Sequence, residues 1–214
     1  TCQIDHWRSC TNCVVYGFDR FEKLFTKRQM LSLTTYSGLI AEVYKKILSD
    51  SDNEEYAKLI CLYISFAVSR LADLNSSFAT WINDLEAVAH VFTKQAIPMV
   101  WDFAECNPLD SKWEGQVDWV SRVVRDSLNI PEMGYVFQKD AALECDEISN
   151  VVISTDPPYY DNIPYSNLSD FFYMWLRSSL NGLYSDVTST LATPKDDEIV
   201  ANQFRHGSKV DANF

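Results

Sequence analysis

The stretch Ser154-Thr-Asp-Pro-Pro-Tyr-Tyr-Asp-Asn-Ile-Pro-Tyr165 follows Val151-Val-Ile-Ser154, an apolar, β-branched run that reads as a buried strand. A strand that exits into a carboxylate, two prolines and two tyrosines is unusual. Each proline holds φ near −65° and removes a backbone donor, so the turn is stiff and its carbonyls need an outside partner. Upstream, 135–138 (Tyr-Val-Phe-Gln) reads as a second strand, followed by Asp140. Asp140 and Asp156 are sixteen residues apart, room for one short helix between adjacent parallel strands. Ligands of open α/β sheets bind outside the carboxyl ends of strands, so both carboxylates are expected at one crevice. For Asp140 the alternative is a helix N-cap ahead of Ala141 and Ala142.

The rest of the chain is expected to be mainly helical. Thr26 and Gln29 form a capping box, and Leu33, Ile40, Val43, Tyr44 and Ile47 follow near helical spacing. The polar run Ser49-Asp-Ser-Asp-Asn53 breaks this helix. A second is expected over 54–71, burying Leu59, Ile60, Tyr63, Ala67 and Val68, and a third over 85–95, capped by Asn83 with Glu86 three residues on. Pro98 and Pro108 bracket a strand or loop at 99–103, where Trp101 reads as a core residue and Asp102 as a surface acid. Further helices are expected over 115–128 and 169–180, the latter placing Phe172, Trp175, Leu176 and Ser179 on one stripe that could cover the sheet. A polar linker follows over 181–193, and neither His90 nor His206 has a nameable partner.

Composition sets outer bounds. The chain has 214 residues, 47% hydrophobic and 14% aromatic, enough for a real core. With 18 basic against 30 acidic residues, its net charge of −12 argues against a surface that wraps duplex DNA unaided. No run approaches the roughly 18–20 apolar residues of a membrane span, and no charged-then-apolar leader opens the chain, so it is expected to be cytoplasmic with no membrane partner. Of six cysteines, only Cys10 and Cys13 are closely spaced, half of a zinc-ribbon pattern with Cys2 and His6 as companions. The other reading is reduced packing thiols with no metal. Because the chain opens on Thr and stops without a closing element, it is expected to be a fragment of something longer.

The strand-end turn suits one chemistry. A carboxylate at Asp156 and the Pro157 carbonyl, kept in place by Pro158, can each accept an N–H of a planar amine, while Tyr159 packs on the ring. Two acceptors favour a pyramidal nitrogen whose lone pair can attack an electrophilic methyl, a combination of positioning and preorganised electrostatics. A target inside a duplex would have to be flipped out. Tyr160, Asn162 and Tyr165 are candidates for the base pocket, the alternative being packing against the next helix.

Asp156-Pro-Pro-Tyr159 resembles the catalytic motif of the amino-group methyltransferases that act on adenine N6 or cytosine N4 with S-adenosylmethionine, and is closer to the adenine enzymes. Leu24-Phe-Thr-Lys-Arg-Gln29, Gln95-Ala-Ile-Pro-Met-Val-Trp-Asp-Phe-Ala-Glu105, Tyr159-Tyr-Asp-Asn-Ile-Pro-Tyr165, Leu168-Ser-Asp-Phe-Phe-Tyr-Met-Trp-Leu176 and Thr193-Pro-Lys-Asp-Asp-Glu198 through Arg205-His-Gly207 are similar to a family described as adenine-specific DNA methylases containing a zinc ribbon, over nearly all of the chain from Gly17. The resemblance implies an α/β fold, part of a Rossmann-like S-adenosylmethionine-dependent methyltransferase sheet with a large all-helical insertion. Residues 1–20 would be a remnant of the zinc ribbon or a linker, 21–110 the insertion, and 111–214 part of the catalytic domain. It implies that Asp140 and Ala141 contact the cofactor and that DNA is the partner, bound through regions outside this chain. The family's glycine-rich cofactor loop is missing: the six glycines are isolated and no GxG occurs. The isolated chain is therefore expected to bind S-adenosylmethionine weakly or not at all and to be inactive. Methylation of RNA or of a protein glutamine, and a non-catalytic interaction module that keeps the fold, stay open as alternatives.

Overall fold

The computed structural model describes residues 2–7, 10–127, 134–136, 150, 152–156, 159–196 and 198–201. Its framework is a pair of long antiparallel helices. Helix α1, Lys27–Ser51, starts at the expected capping box: Gln29 N–H donates to Thr26 Oγ1 at 3.3 Å and Thr26 N–H to Gln29 Oε1 at 2.8 Å. It ends where Asp52 turns left-handed at φ 50°, and Asn53 caps α2, Glu54–Leu74, by accepting Tyr56 N–H at 3.0 Å. The polar break thus becomes a two-residue connection. Helix α2 buries Ala57, Cys61, Ser65, Val68 and Ala72 at steps of three and four. These are small side chains for a core face, and they let α1 come close enough that the Cys61 thiol lies 3.9 Å from the Ile40 carbonyl. Leu59, expected inside, lies on the other side of this stripe and is exposed.

A short hairpin follows, with β1, Trp81–Ile82, paired antiparallel to β2, Ala87–Val88. The helix expected over 85–95 does not form. Asn83 opens a single 3₁₀ turn that ends at Glu86 in the left-handed region, φ 47°. The physical reason lies in Asp73, near the end of α2. Its carboxylate accepts Phe92 N–H at 3.1 Å and holds His90 Nδ1 at 2.9 Å, while its backbone carbonyl takes Val91 N–H at 3.0 Å. Three anchors on consecutive residues hold the segment extended, and local helix propensity loses to them. They also supply the partner of His90 that the sequence left unnamed.

Helix α3, Trp113–Ser127, packs along α2, with Trp113 stacked on Tyr36 at 4.5 Å and Arg70 Nε donating to Gln116. Helix α4, Tyr165–Ser179, lies across α1 and α2, where Ser37 and Ser179 share a buried hydroxyl bond of 3.0 Å. A one-turn helix α5, Ser185–Thr188, occupies part of the expected linker. Phe171 of α4 is the hub of the core. Its ring lies 5.6 Å from Phe25, 6.3 Å from Phe21, 5.1 Å from Phe92 and 5.1 Å from Phe172. One core therefore draws on residues before and after position 110.

Trp101, expected in the core, is 77% exposed; it meets Tyr16 edge-on at 4.9 Å on the surface. Among the described residues helix α4 covers α1 and α2. Among the described residues the hairpin is the only sheet. Of the expected parallel pair, positions 137, 138 and 151, with the crossover over 139–149, lie outside the described residues. Val136 and Val152 are 96% and 97% exposed, so the reading of 151–154 as a buried strand fails over the residues that are described. A strand is buried only when neighbours cover it, and no described neighbour does.

Phe171 is fully buried among four aromatic rings, so Phe171→Ala should cost about 3–5 kcal/mol of stability. Urea unfolding followed by circular dichroism reads this directly, and a loss below about 1 kcal/mol would mean that the cluster is not the core.

Candidate functional site

The segment after the two prolines is a tight loop. Tyr160 adopts a left-handed conformation, φ 57°, and Asn162 N–H closes a turn on the Tyr159 carbonyl at 3.1 Å. Turning the chain this sharply points three consecutive carbonyls away from the loop, and each meets a donor from a distant part of the sequence. Ala201 N–H reaches the Tyr160 carbonyl at 3.0 Å, the Trp7 indole N–H reaches that of Asp161 at 3.0 Å, and the Cys10 thiol reaches that of Asn162 at 3.2 Å. Trp7 and Cys10 pack with Ala96 and Val200 in a small apolar cluster behind the loop. Both ends of the described chain thus grip the segment that carries the candidate residues.

Helix α4 begins directly after it. Pro164 stands at its N-cap with no side-chain acceptor, and Glu198 substitutes: its carboxylate takes Ser166 N–H at 2.7 Å and the Ser166 hydroxyl. A negative charge there also suits the positive end of the helix. One turn on, the carboxylate of Asp170 is buried. It accepts Thr193 N–H at 2.8 Å and the Thr193 hydroxyl at 2.7 Å, and pairs with Lys195 at 2.7 Å. The strap at 193–196 and 198 is therefore bound to α4 by two carboxylates, one from each partner.

Asp156, Tyr159, Tyr160, Asn162 and Tyr165 all face solvent. Partial loss of water around the ring, and then the charges of Tyr159 and Asp156, raise the Tyr165 phenol above its ordinary range. The Tyr165 hydroxyl therefore stays protonated and able to donate at neutral pH. Tyr160 and Asn162 shape the loop through their backbones. Pro157, Pro158, Asp140 and Ala141 lie outside the described residues. What the group offers is an acceptor and two phenol rings on a surface with a pinned backbone, fit to bind and orient a flat polar ligand.

The two cysteines of the half zinc-ribbon pattern are both buried, and Cys10 spends its thiol on the Asn162 carbonyl. Burial raises Cys13 from an ordinary 9.0 to about 11. His6 is exposed, and among the described residues no three metal-ligating side chains gather. Two of the stretches singled out in the sequence also meet: Arg28 Nε donates to both oxygens of Glu105, at 2.7 and 2.9 Å. Sequence reading assigned no role to Asp170, Thr193, Lys195, Glu198 or Trp7. One signal was available, since an aspartate at the head of Asp-Phe-Phe-Tyr-Met-Trp-Leu must find partners once that face is buried.

Compared with family models, curated proteins and solved structures, the chain matches none.

Removing Lys195 leaves the Asp170 charge buried with only the Thr193 donors, so Lys195→Met should cost roughly 3 kcal/mol. Adding Asp170→Asn should restore much of that in urea unfolding; additive losses would show that the pair is not coupled. A second expectation concerns alkaline pH. Folded Cys13 keeps its proton where the unfolded chain has lost it, so its contribution is complete below about pH 9 and falls as pH rises toward about 11. The total is about 2–3 kcal/mol, and Cys13→Ala should flatten that part of the stability curve by comparison with the parent.

Proposed function

We propose that this chain carries the amine-binding part of an S-adenosylmethionine-dependent methyltransferase acting on an exocyclic amino group, with adenine N6 in DNA as the target. The observation that carries this reading is the exposure of Asp156, Tyr159 and Tyr165 to solvent, the two tyrosines flanking a loop whose carbonyls at 160–162 are pinned from both ends of the described chain. A rigid mount matters because a misplacement of about 1 Å can cost on the order of 100-fold in rate.

S-adenosylmethionine would supply an electrophilic methyl group. The remaining work belongs to the chain. The Asp156 carboxylate accepts one N–H of the amine and the Pro157 carbonyl the other, drawing the lone pair out of the ring and onto the side facing the methyl. Tyr159 packs against the base, an interaction worth about 1–3 kcal/mol. As the methyl's bond to sulfur breaks and S-adenosylhomocysteine is left, the amine nitrogen would give up a proton to the Asp156 carboxylate. Tyr165 supplies a second exposed phenol. The supporting fold would be part of a Rossmann-like sheet, completed by 137–149 and by a glycine-rich loop that the 214 residues do not contain. With a net charge of −12, the chain would leave most phosphate binding to basic regions outside it.

Tritium transfer from methyl-labelled S-adenosylmethionine to DNA by the full-length protein tests this. The wild type should label DNA, Asp156→Ala should fall at least about 100-fold, and Tyr159→Ala about tenfold. A wild type that labels no nucleic acid would end the proposal, and labelling confined to RNA would move its target.

A further inference from the structure

A hollow of about 440 Å³ opens beside the candidate site, and Tyr165 is part of its wall. Its size falls in the range of about 300–1,000 Å³ typical of small-ligand sites. The floor is apolar and aromatic, made by Phe92, Leu168 and Phe172, with Ser169 beside Tyr165 on α4. This floor is preformed. The Phe92 ring sits 5.0 Å from Phe172 and 5.1 Å from Phe171, and the Phe92 N–H is tied to Asp73. Lys94 and Gln95 complete the lining from a surface turn.

One residue couples this turn to the loop of the candidate site. Cys10 accepts Ile97 N–H on its carbonyl at 2.6 Å and donates its thiol to the Asn162 carbonyl at 3.2 Å. The rim of the hollow and the loop after Asp156 are therefore held in register by the same anchor. The hollow's chemistry is equally specific. Among the described residues Lys94 is its only charged lining residue, on a chain of net charge −12, and it makes no ion pair there. A flat apolar floor, one amide bearing both a donor and an acceptor, and one available cation match the base face, base edge and phosphate of a nucleotide.

We propose that this hollow seats the nucleotide next to the target in an unpaired DNA strand, its base against Phe92, Phe172 and Tyr165, its edge facing Gln95 and its phosphate facing Lys94. The assignment of that nucleotide as the target's neighbour rests on the amino-methylation reading above. Base contacts outside the reaction centre would then give the protein a preference for the residue flanking the target, drawn from ring packing and a single amide.

Binding of fluorescein-labelled single-stranded DNA hexamers with one central adenine, followed by anisotropy with the full-length protein and no cofactor, tests this directly. Replacing the base on one side of the adenine by an abasic site should weaken binding about tenfold, with the other side less sensitive. Ser169→Trp fills the hollow from an exposed position, and Lys94→Glu reverses its charge. Both should bind the intact hexamer about as weakly as the parent binds the abasic one, with unchanged circular dichroism. Affinity that ignores both flanking bases, an undiminished Ser169→Trp variant, or no binding of any strand would overturn the proposal. A flanking-base effect without any methyl transfer would overturn the methylation reading and keep the hollow as a nucleotide site.

Discussion

Three consecutive backbone carbonyls, at Tyr160, Asp161 and Asn162, hold the architecture of the candidate site together. A left-handed residue at the head of a tight turn throws these acceptors outward, and partly buried carbonyls without donors would be costly. The donors are an indole, a thiol and an amide from residues 7, 10 and 201. No one of these bonds is strong. Together they require that segments nearly 200 residues apart in sequence converge behind one loop, so the loop has a defined shape while its side chains stay in solvent.

The helical framework serves the same end by different means. Phe171, inside the ring of Phe21, Phe25, Phe92 and Phe172, ties α4 to the segment before α1 and to the strand-like run after α2. Because Tyr165 and Phe171 belong to one helix, the packing that buries the second sets the position of the first. The Asp170 and Glu198 carboxylates then bind the strap at 193–196 and 198 to that helix, placing charged groups next to an aromatic core at the expense of desolvation that Lys195 and Thr193 offset.

Charge divides the surface into roles. The acidic excess repels phosphate over most of the chain, so attraction for a polyanion falls to cations without a carboxylate partner. Lys94 beside the aromatic hollow is such a cation among the described residues, whereas Lys195 is consumed by Asp170 and Arg28 by Glu105.

Local rules decided much of this protein. The capping box at Thr26, the Asn53 cap, the break between α1 and α2, and the helices near 115–128 and 169–180 follow from side chains that act within one turn of themselves. Tertiary structure alone decided the rest. The segment over 85–95 has a helix signature, yet Asp73 pulls it extended; Trp101 looks like a core residue, yet it meets Tyr16 at the surface; Cys10 and Cys13 look like half a metal site, yet one thiol serves the Asn162 carbonyl. In each instance the deciding partner lies far away in sequence, and a hydrogen bond or ring contact between distant residues leaves no period or spacing for a reader of the chain to detect.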